Sequence, residues 1–400
     1  MKEVYRIAAR LGHDVENLKL GQQVSTIINV QSIDELHHLL HDSMPAEDRR
    51  KRAEALLKSA QASAEGSVEA VLHRVRSYIF ADEPLAAEDR EQIGGAFPMQ
   101  VQATSLPDKT LGPCEEWDLG TSTSPVVLNI GTLTMEPGSS IVIRNTVLSL
   151  SIQTLIRNTA TAPGPRYDLA ILGAPGVNGH DGGMGDAGSN GVTGKPGACS
   201  SAGIAGPPGE AGASGFTGGT GAQGGQGGDG LPALSATIRI GPGGIVGSGQ
   251  SFTILSQSGA GGPGGRGGTG GKGGDGGRGG DGATCGCTGT AAGNGGNGGC
   301  GGTGGAGGTG GNGSKAEDIY VAVPAGQTSR IAKLQQEAPP GAGGLAGPGG
   351  AGGAGGTGGA EAKHTGRGLA GEPGQAGNPG CAGPRGSKPG APGEIHISET

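Results

Sequence analysis

Gly264-Gly265-Arg266-Gly267-Gly268-Thr269-Gly270-Gly271-Lys272-Gly273-Gly274-Asp275-Gly276-Gly277-Arg278-Gly279-Gly280-Asp281-Gly282 places glycine on a period of three, inside a stretch over 173–393 that keeps this period for most of its length. The stretch divides into three blocks, 173–230, 259–313 and 341–393, and each loses the period near its middle. The breaks fall at Ser200, at Ala283-Thr284-Cys285-Gly286-Cys287 with Ala291-Ala292, and at Ala360-Glu361-Ala362-Lys363-His364-Thr365. Short apolar, β-branched segments bracket every block: 167–171 and 236–240, 252–255 and 319–323, 331–334 and 395–397. They read as strands.

One geometry accounts for blocks, breaks and strands together. Each block leaves a β base, runs outward as an extended threefold helix, turns where the repeat fails and returns. Such a helix rises about 3.1 Å per residue, so an arm of about 25 residues reaches on the order of 75 Å. It makes no internal hydrogen bonds, so neighbouring arms must satisfy its backbone. Glycine on one edge permits that approach. Arms reading Gly-Gly-Xaa offer two bare edges and belong inside; the first and last arms, with one glycine per triplet (Gly185-Asp186-Ala187-Gly188, Gly371-Glu372-Pro373-Gly374), belong outside. The expected fold class is an α + β head and base carrying a polyglycine-II bundle of about six arms. A collagen-like triple helix is the alternative, suggested by Gly206-Pro207-Pro208-Gly209, and a largely disordered chain is a third.

Residues 1–95 read as a helical domain. Ser32-Ile33-Asp34-Glu35 has the form of a capping box, Pro45 fits a first helical position, and Val68, Val71, Leu72, Val75 and Ile79 form an apolar stripe. Residues 96–165 alternate between apolar and polar, as in Leu148, Leu150 and Ile152, and suggest antiparallel strands. Residues 166–400 hold the three glycine hairpins. His37, His38 and His41 share a helix face but lack the further ligands zinc needs, so they read as surface. No nucleophile–base pair stands out, and no catalytic residue, metal or cofactor is assigned.

Glycine makes up 93 of 400 residues and aromatics 2%, so no conventional core can extend through the chain. A net charge of -7 argues against nucleic acid as a partner, and no apolar run is long enough to span a membrane. The start of the sequence does not read as a signal peptide. An extracellular surface, appendage or virion is nevertheless the expected location, because a rod of this shape suits display.

The cysteines test the hairpins. Cys300 and Cys381 each lie 14 residues beyond an apparent midpoint, Gly286 and Arg367, and are expected to approach each other. Cys199 is expected to approach Cys285 or Cys287 at the turns. The opposing reading is that all are small residues in a reduced protein.

Glycine arms alternating with short turns resemble the polyglycine-II bundle proteins, among them the tip adhesins of T-even-like phage tail fibres and small glycine-rich arthropod antifreeze proteins. The resemblance covers roughly 166–400 and rests on repeat type and layout. It implies that an N-terminal domain attaches to a fibre and that the turns bind a receptor. The turn residues so marked are Cys199, Ser200, Ser201, Thr284, Cys285, Cys287, Thr288, Glu361, Lys363 and His364. None of the turns contains Tyr, Trp or Phe, unlike the adhesin pattern. The expected function is therefore a non-enzymatic adhesion rod, joined to a neighbouring subunit or fibre by its helical domain, with a cell-surface receptor at its turns. A spacer or filament protein and an ice-binding protein are the alternatives.

Overall fold

A computed structural model describes residues 3–40, 46–62, 66–121, 124–158, 166–201, 203–247 and 251–400. The N-terminal part contains helices α1 (Glu3–Arg10), α2 (Val15–Lys19), α3 (Ile33–Leu40), α4 (Ala46–Ala62), α5 (Val68–Ala81) and α6 (Ala87–Gly94), with strand β1 (Val24–Val30) between α2 and α3. The strands that follow are β2 (Met99–Leu111), β3 (Glu116–Thr121), β4 (Val126–Met135), β5 (Ser140–Arg144), β6 (Leu148–Arg157), β7 (Leu169–Leu172), β8 (Ala236–Val246), β9 (Phe252–Gln257), the two-residue pair β10 (Thr284–Cys285) and β11 (Thr288–Gly289), β12 (Ile319–Val323), β13 (Ile331–Gln335) and β14 (Ile395–Glu399).

These strands build two large sheets. One has seven strands in the order β1-β2-β4-β6-β8-β12-β14, parallel except for the antiparallel β1–β2 pair. The other has five parallel strands in the order β13-β9-β7-β5-β3. From β2 onward, leaving aside the small β10–β11 pair, the chain visits the two sheets alternately and so winds as a coil. Leu128, Ile130, Leu150 and Ile238 from one sheet and Ile141, Ile171 and Ile254 from the other bury into a single apolar core. The outer face of the seven-stranded sheet is covered by the helices, where Val101, Ala103 and Val127 pack with Leu36, Val71, Val75 and Ile79.

The expected fold class is corrected by this topology. The regular structure is α/β, a mixed seven-stranded sheet and a parallel five-stranded sheet with six helices among the described residues; it is not classed as a polyglycine-II or collagen-like bundle on a small antiparallel base. The antiparallel reading of 126–152 fails for a physical reason. β4 and β6 pair in parallel, Val126 opposite Leu148, and β5 between them belongs to the other sheet. Alternating apolar and polar residues report one covered face and not strand direction. Gly241-Pro242-Gly243-Gly244, although it has the composition of a turn, is a register irregularity inside β8, with Gly244 at a φ of +66°.

The glycine blocks are the crossovers that carry the chain from the five-stranded sheet back to the seven-stranded one. Each goes out and back, giving six arms in chain order. The strand register runs on unchanged into the first five arms. Leu169 pairs with Ile254, 85 residues later, and Asn190 accepts a hydrogen bond from Asp275, also 85 later. Phe252 pairs with Ile331 at 79, and Asp275 reaches Ala354 at 79. Ala236 pairs with Ile319 at 83, and Asp229 reaches Asn312 at 83. Arms one, three and five thus continue the five-stranded sheet, and arms two, four and six continue the seven-stranded one. A single residue is taken up at the sixth arm, where Asn312 accepts from both Ser387 and Lys388.

Between arms, backbone N–H groups donate to neighbours at triplet spacing, as in Gly271→Gly219, Gly302→Gly271 and Gly350→Gly302, all at 2.8 Å. Arms three and four each have four bonded neighbours, arms two and five three, and arms one and six two. A β-carbon on Gly302 would lie 1.9 Å from the carbonyl oxygen of Gly219, whereas one on Gly183 would meet nothing within 4 Å. Gly302→Ala is expected to cost about 3 kcal/mol or more in thermal or denaturant unfolding. Gly183→Ala should range from neutral to about 1 kcal/mol stabilising, because it only restricts the unfolded chain.

The N-terminal helices follow from their caps and stripes. Asp14 accepts from Glu16 and Asn17 to start α2, and the Ser67 hydroxyl accepts from Ala70 to start α5. At α3 the Ser32 hydroxyl accepts from the Glu35 N–H, but the Glu35 carboxylate receives the N–H of Gln31, not that of Ser32. On α5, Val71, Val75 and Ile79 are buried while Val68 is exposed. Pro45 and His41 lie outside the described residues. His37 bonds Asp82 at 2.9 Å and His38 is exposed.

His13 ties the α1–α2 turn to the β1–β2 pair. Its ring is buried, with Nδ1 2.8 Å from the Ser105 hydroxyl and Nε2 2.9 Å from the Thr26 hydroxyl. Burial pushes its pKa below the ordinary histidine value. The unfolded chain therefore takes up a proton that the native ring resists, so this contribution is complete above about pH 6.5 and is lost as pH falls below it. Melting curves should show a midpoint that falls as the pH drops below about 6.5, and His13→Gln should flatten that slope.

Candidate functional site at the distal turns

The three turns meet at the end of the arms away from the large sheets. Arm one ends at Gly197, whose N–H donates to Asp281 of arm three at 2.8 Å, so the first and second turns start side by side. The second turn is a small hairpin: Thr284 pairs with Gly289 and Cys285 with Thr288 around Gly286-Cys287, and Gly286 takes a φ of +58°. A β-carbon would strain that turn, which is why glycine stands there. The third turn is closed by the Thr365 N–H donating to the Ala362 carbonyl, with His364 at a φ of +60°.

Side chains knit the turns together. Cys199 and Cys285 form a disulfide, with Cα atoms 5.5 Å apart across 86 residues of sequence. Lys363 of the third turn donates its N–H to the Thr284 hydroxyl at 3.2 Å and its ammonium to the Gly286 carbonyl at 3.3 Å. Within the first turn the Ser200 hydroxyl donates to the Ile204 carbonyl, and Ser201 is exposed. The Thr288 hydroxyl donates to the Cys285 carbonyl, and Thr288, Glu361, Lys363, His364 and Cys287 are all exposed. The structure thus brings the turn residues marked in the sequence to one end of the molecule.

Cys300 and Cys381 are not brought together. Both are exposed thiols on the returning fourth and sixth arms. Gly301 donates to Gln375, and Gly307 donates to Cys381. Cys381 is therefore six residues farther from the turns than the level of Cys300, up to about 20 Å along an extended backbone. A disulfide requires Cα atoms within about 7 Å. Equal counting from apparent midpoints misplaced them because the turns themselves differ in length and position.

Elsewhere buried charged groups are paired within the fold. Arg52 is buried, donates to Thr237 and Ser235, and lies between the rings of Phe80 and Tyr320 at 4.2 and 3.9 Å. Arg157 holds the buried Asp168, whose carboxyl is raised by burial and drawn back by the Thr253 N–H and Arg157. A groove of about 900 Å³ runs between α5 and the roots of the arms, with the Arg76–Glu317 pair at 2.6 Å in its wall. Burial raises the Glu317 carboxyl. Sequence reasoning missed these residues; Arg52 and Arg76 meet partners far along the chain, and the Arg157–Asp168 pair, 11 residues apart, carries no motif. Among the described residues no group of three or more His, Cys, Asp or Glu is placed to hold a metal. No helix among them is long and apolar enough to cross a membrane.

No family model, curated protein or solved structure matches the chain.

A disulfide typically contributes about 2–4 kcal/mol. Dithiothreitol should lower the unfolding midpoint of the wild type, and a Cys199→Ser, Cys285→Ser double variant should melt at the reduced value with or without reductant.

Proposed function

We propose that the protein is a non-enzymatic rod that presents its joined distal turns to a cell-surface receptor, with its helical end attached to a neighbouring subunit or fibre. The observation that carries this reading is the convergence of three turns, cross-linked by Cys199–Cys285 and by the Lys363 contacts, at the far end of hydrogen-bonded arms. Hydrogen bonds between neighbouring arms hold the turns at a fixed distance from the strands. Ordering cost is met when the arms fold, so a receptor meets a preformed surface. The exposed groups there are a cation, an acid, an imidazole and hydroxyls, which suits polar recognition more than stacking on apolar rings.

Binding of labelled protein to a panel of whole cells and glycans tests the reading. A Thr288→Ala, Glu361→Ala, Lys363→Ala, His364→Gly variant should lose at least tenfold in affinity for any target the wild type binds, with melting changed little. Undiminished binding by this variant would overturn display by the turns. A wild type that binds no surface, yet is retained by a neighbouring subunit through its helices, would favour a spacer.

A further inference from the structure

The arms follow one bonding rule, and the rule leaves an unfilled position. In each arm from the second onward, one residue per triplet donates its N–H to the preceding arm; in arms three to six these donors are glycines. In the first four arms one glycine per triplet, a second donor in arms two to four, donates to the arm two places on, as Gly264 does to Ala342 and Gly298 to Glu372. On the fifth arm the equivalent donors are Gly343, Gly349, Gly352, Gly355 and Gly358, and no hydrogen bond engages them. On the sixth arm the carbonyls of Gly371, Gly374, Gly377 and Gly380 likewise accept nothing, although their counterparts on arms one to five all do. These two rows flank the place where a seventh arm would lie.

What stands in that place is side chain. On the fourth arm the glycines that precede its bonded neighbours leave room for arm five: a β-carbon on Gly298 would lie 2.1 Å from the Gly353 carbonyl oxygen. The fifth arm leaves room for arm six in the same way, with 1.9 Å from Gly352 to the Gly374 oxygen. The matching register on arm six is Ala370, Pro373, Ala376, Pro379, Ala382 and Arg385, all exposed and none glycine. Two of these also lack an N–H. Ala346 on the fifth arm shows that one methyl group can be absorbed; a continuous row with two proline rings is a different obstacle.

We infer that the edge formed by arms five and six is a latent docking site for one more extended glycine-rich chain, namely an arm of a second copy of this protein, and that this row of side chains keeps it shut. The complementarity is the same donor-and-acceptor pattern that joins the six arms. Unpaired backbone at an edge invites such association, and proline or bulky side chains on the edge oppose it. The inference is independent of what the turns bind.

Sedimentation of the full chain compares wild type with an Ala370→Gly, Pro373→Gly, Ala376→Gly, Pro379→Gly, Ala382→Gly variant. The variant should self-associate at concentrations at least tenfold lower than wild type, and a synthetic Gly-Gly-Thr repeat peptide should bind it and not the wild type. A folded variant that matches the wild type in both measurements would refute the inference. Hydrogen exchange on the wild type gives a reading that does not depend on the variant's folding. The amides of Gly343, Gly349, Gly352, Gly355 and Gly358 should exchange at least a hundredfold faster than those of Gly344, Gly350, Gly353, Gly356 and Gly359. Equal protection of the two sets would overturn the open edge.

Discussion

Within the inner arms a carbonyl oxygen lies about 2 Å from the point a β-carbon would occupy, as at Gly271, Gly302 and Gly353. Real β-carbons do not come that close to oxygen, so the spacing between arms exists only because the side chain is hydrogen. Everything beyond the strands depends on this. The arms have few apolar contacts, and backbone bonds to neighbours, most of them 2.8 to 2.9 Å, hold them. Burial of large apolar side chains is confined to the coil of strands and the helices over it.

The strands and the arms constrain each other. Parallel pairing requires a long crossover, ordinarily a helix. Here the crossovers are the glycine blocks, and their sequence offsets of 85, 79 and 83 equal those of the strands from which they emerge. A slip in a strand would displace every bond along the attached arm. Register is therefore specified twice, once by burial of Ile238, Ile254, Ile319 and Ile331 and once by the rows of N–H donors. Asn and Asp at exposed positions add a third check, each accepting the N–H of the next arm in its layer, as Asp181, Asn190, Asp275 and Asn294 do.

Much of this was legible in the residues, and what was not has identifiable causes. The threefold glycine period, its midpoint failures and the bracketing strands are local features, and short-range physics reads them. Strand direction is not local. The clue that was available is continuous burial: Val126-Val127-Leu128-Asn129-Ile130 and Ile319-Tyr320-Val321-Ala322-Val323 are buried at every position, as parallel strands covered on both faces are. β1 escaped notice because its inward residues alternate with exposed ones inside a helical region, and Ile27 points outward. The Cys199–Cys285 contact could be placed by counting to the turns, where errors are small, whereas Cys300 and Cys381 lie far along arms whose heights depend on every intervening residue.

The cross-linked turns also have a mechanical meaning. A pull on Cys199, Cys285 or Lys363 along the arms loads the inter-arm hydrogen bonds in shear, and the triplet spacing sets many of them in mechanical parallel. No single bond can yield first and unzip the rest, as it would if the arms were peeled from one end. The molecule would respond as a stiff strut up to a collective rupture, with the load delivered to the roots of six arms and from there into the strands of two sheets.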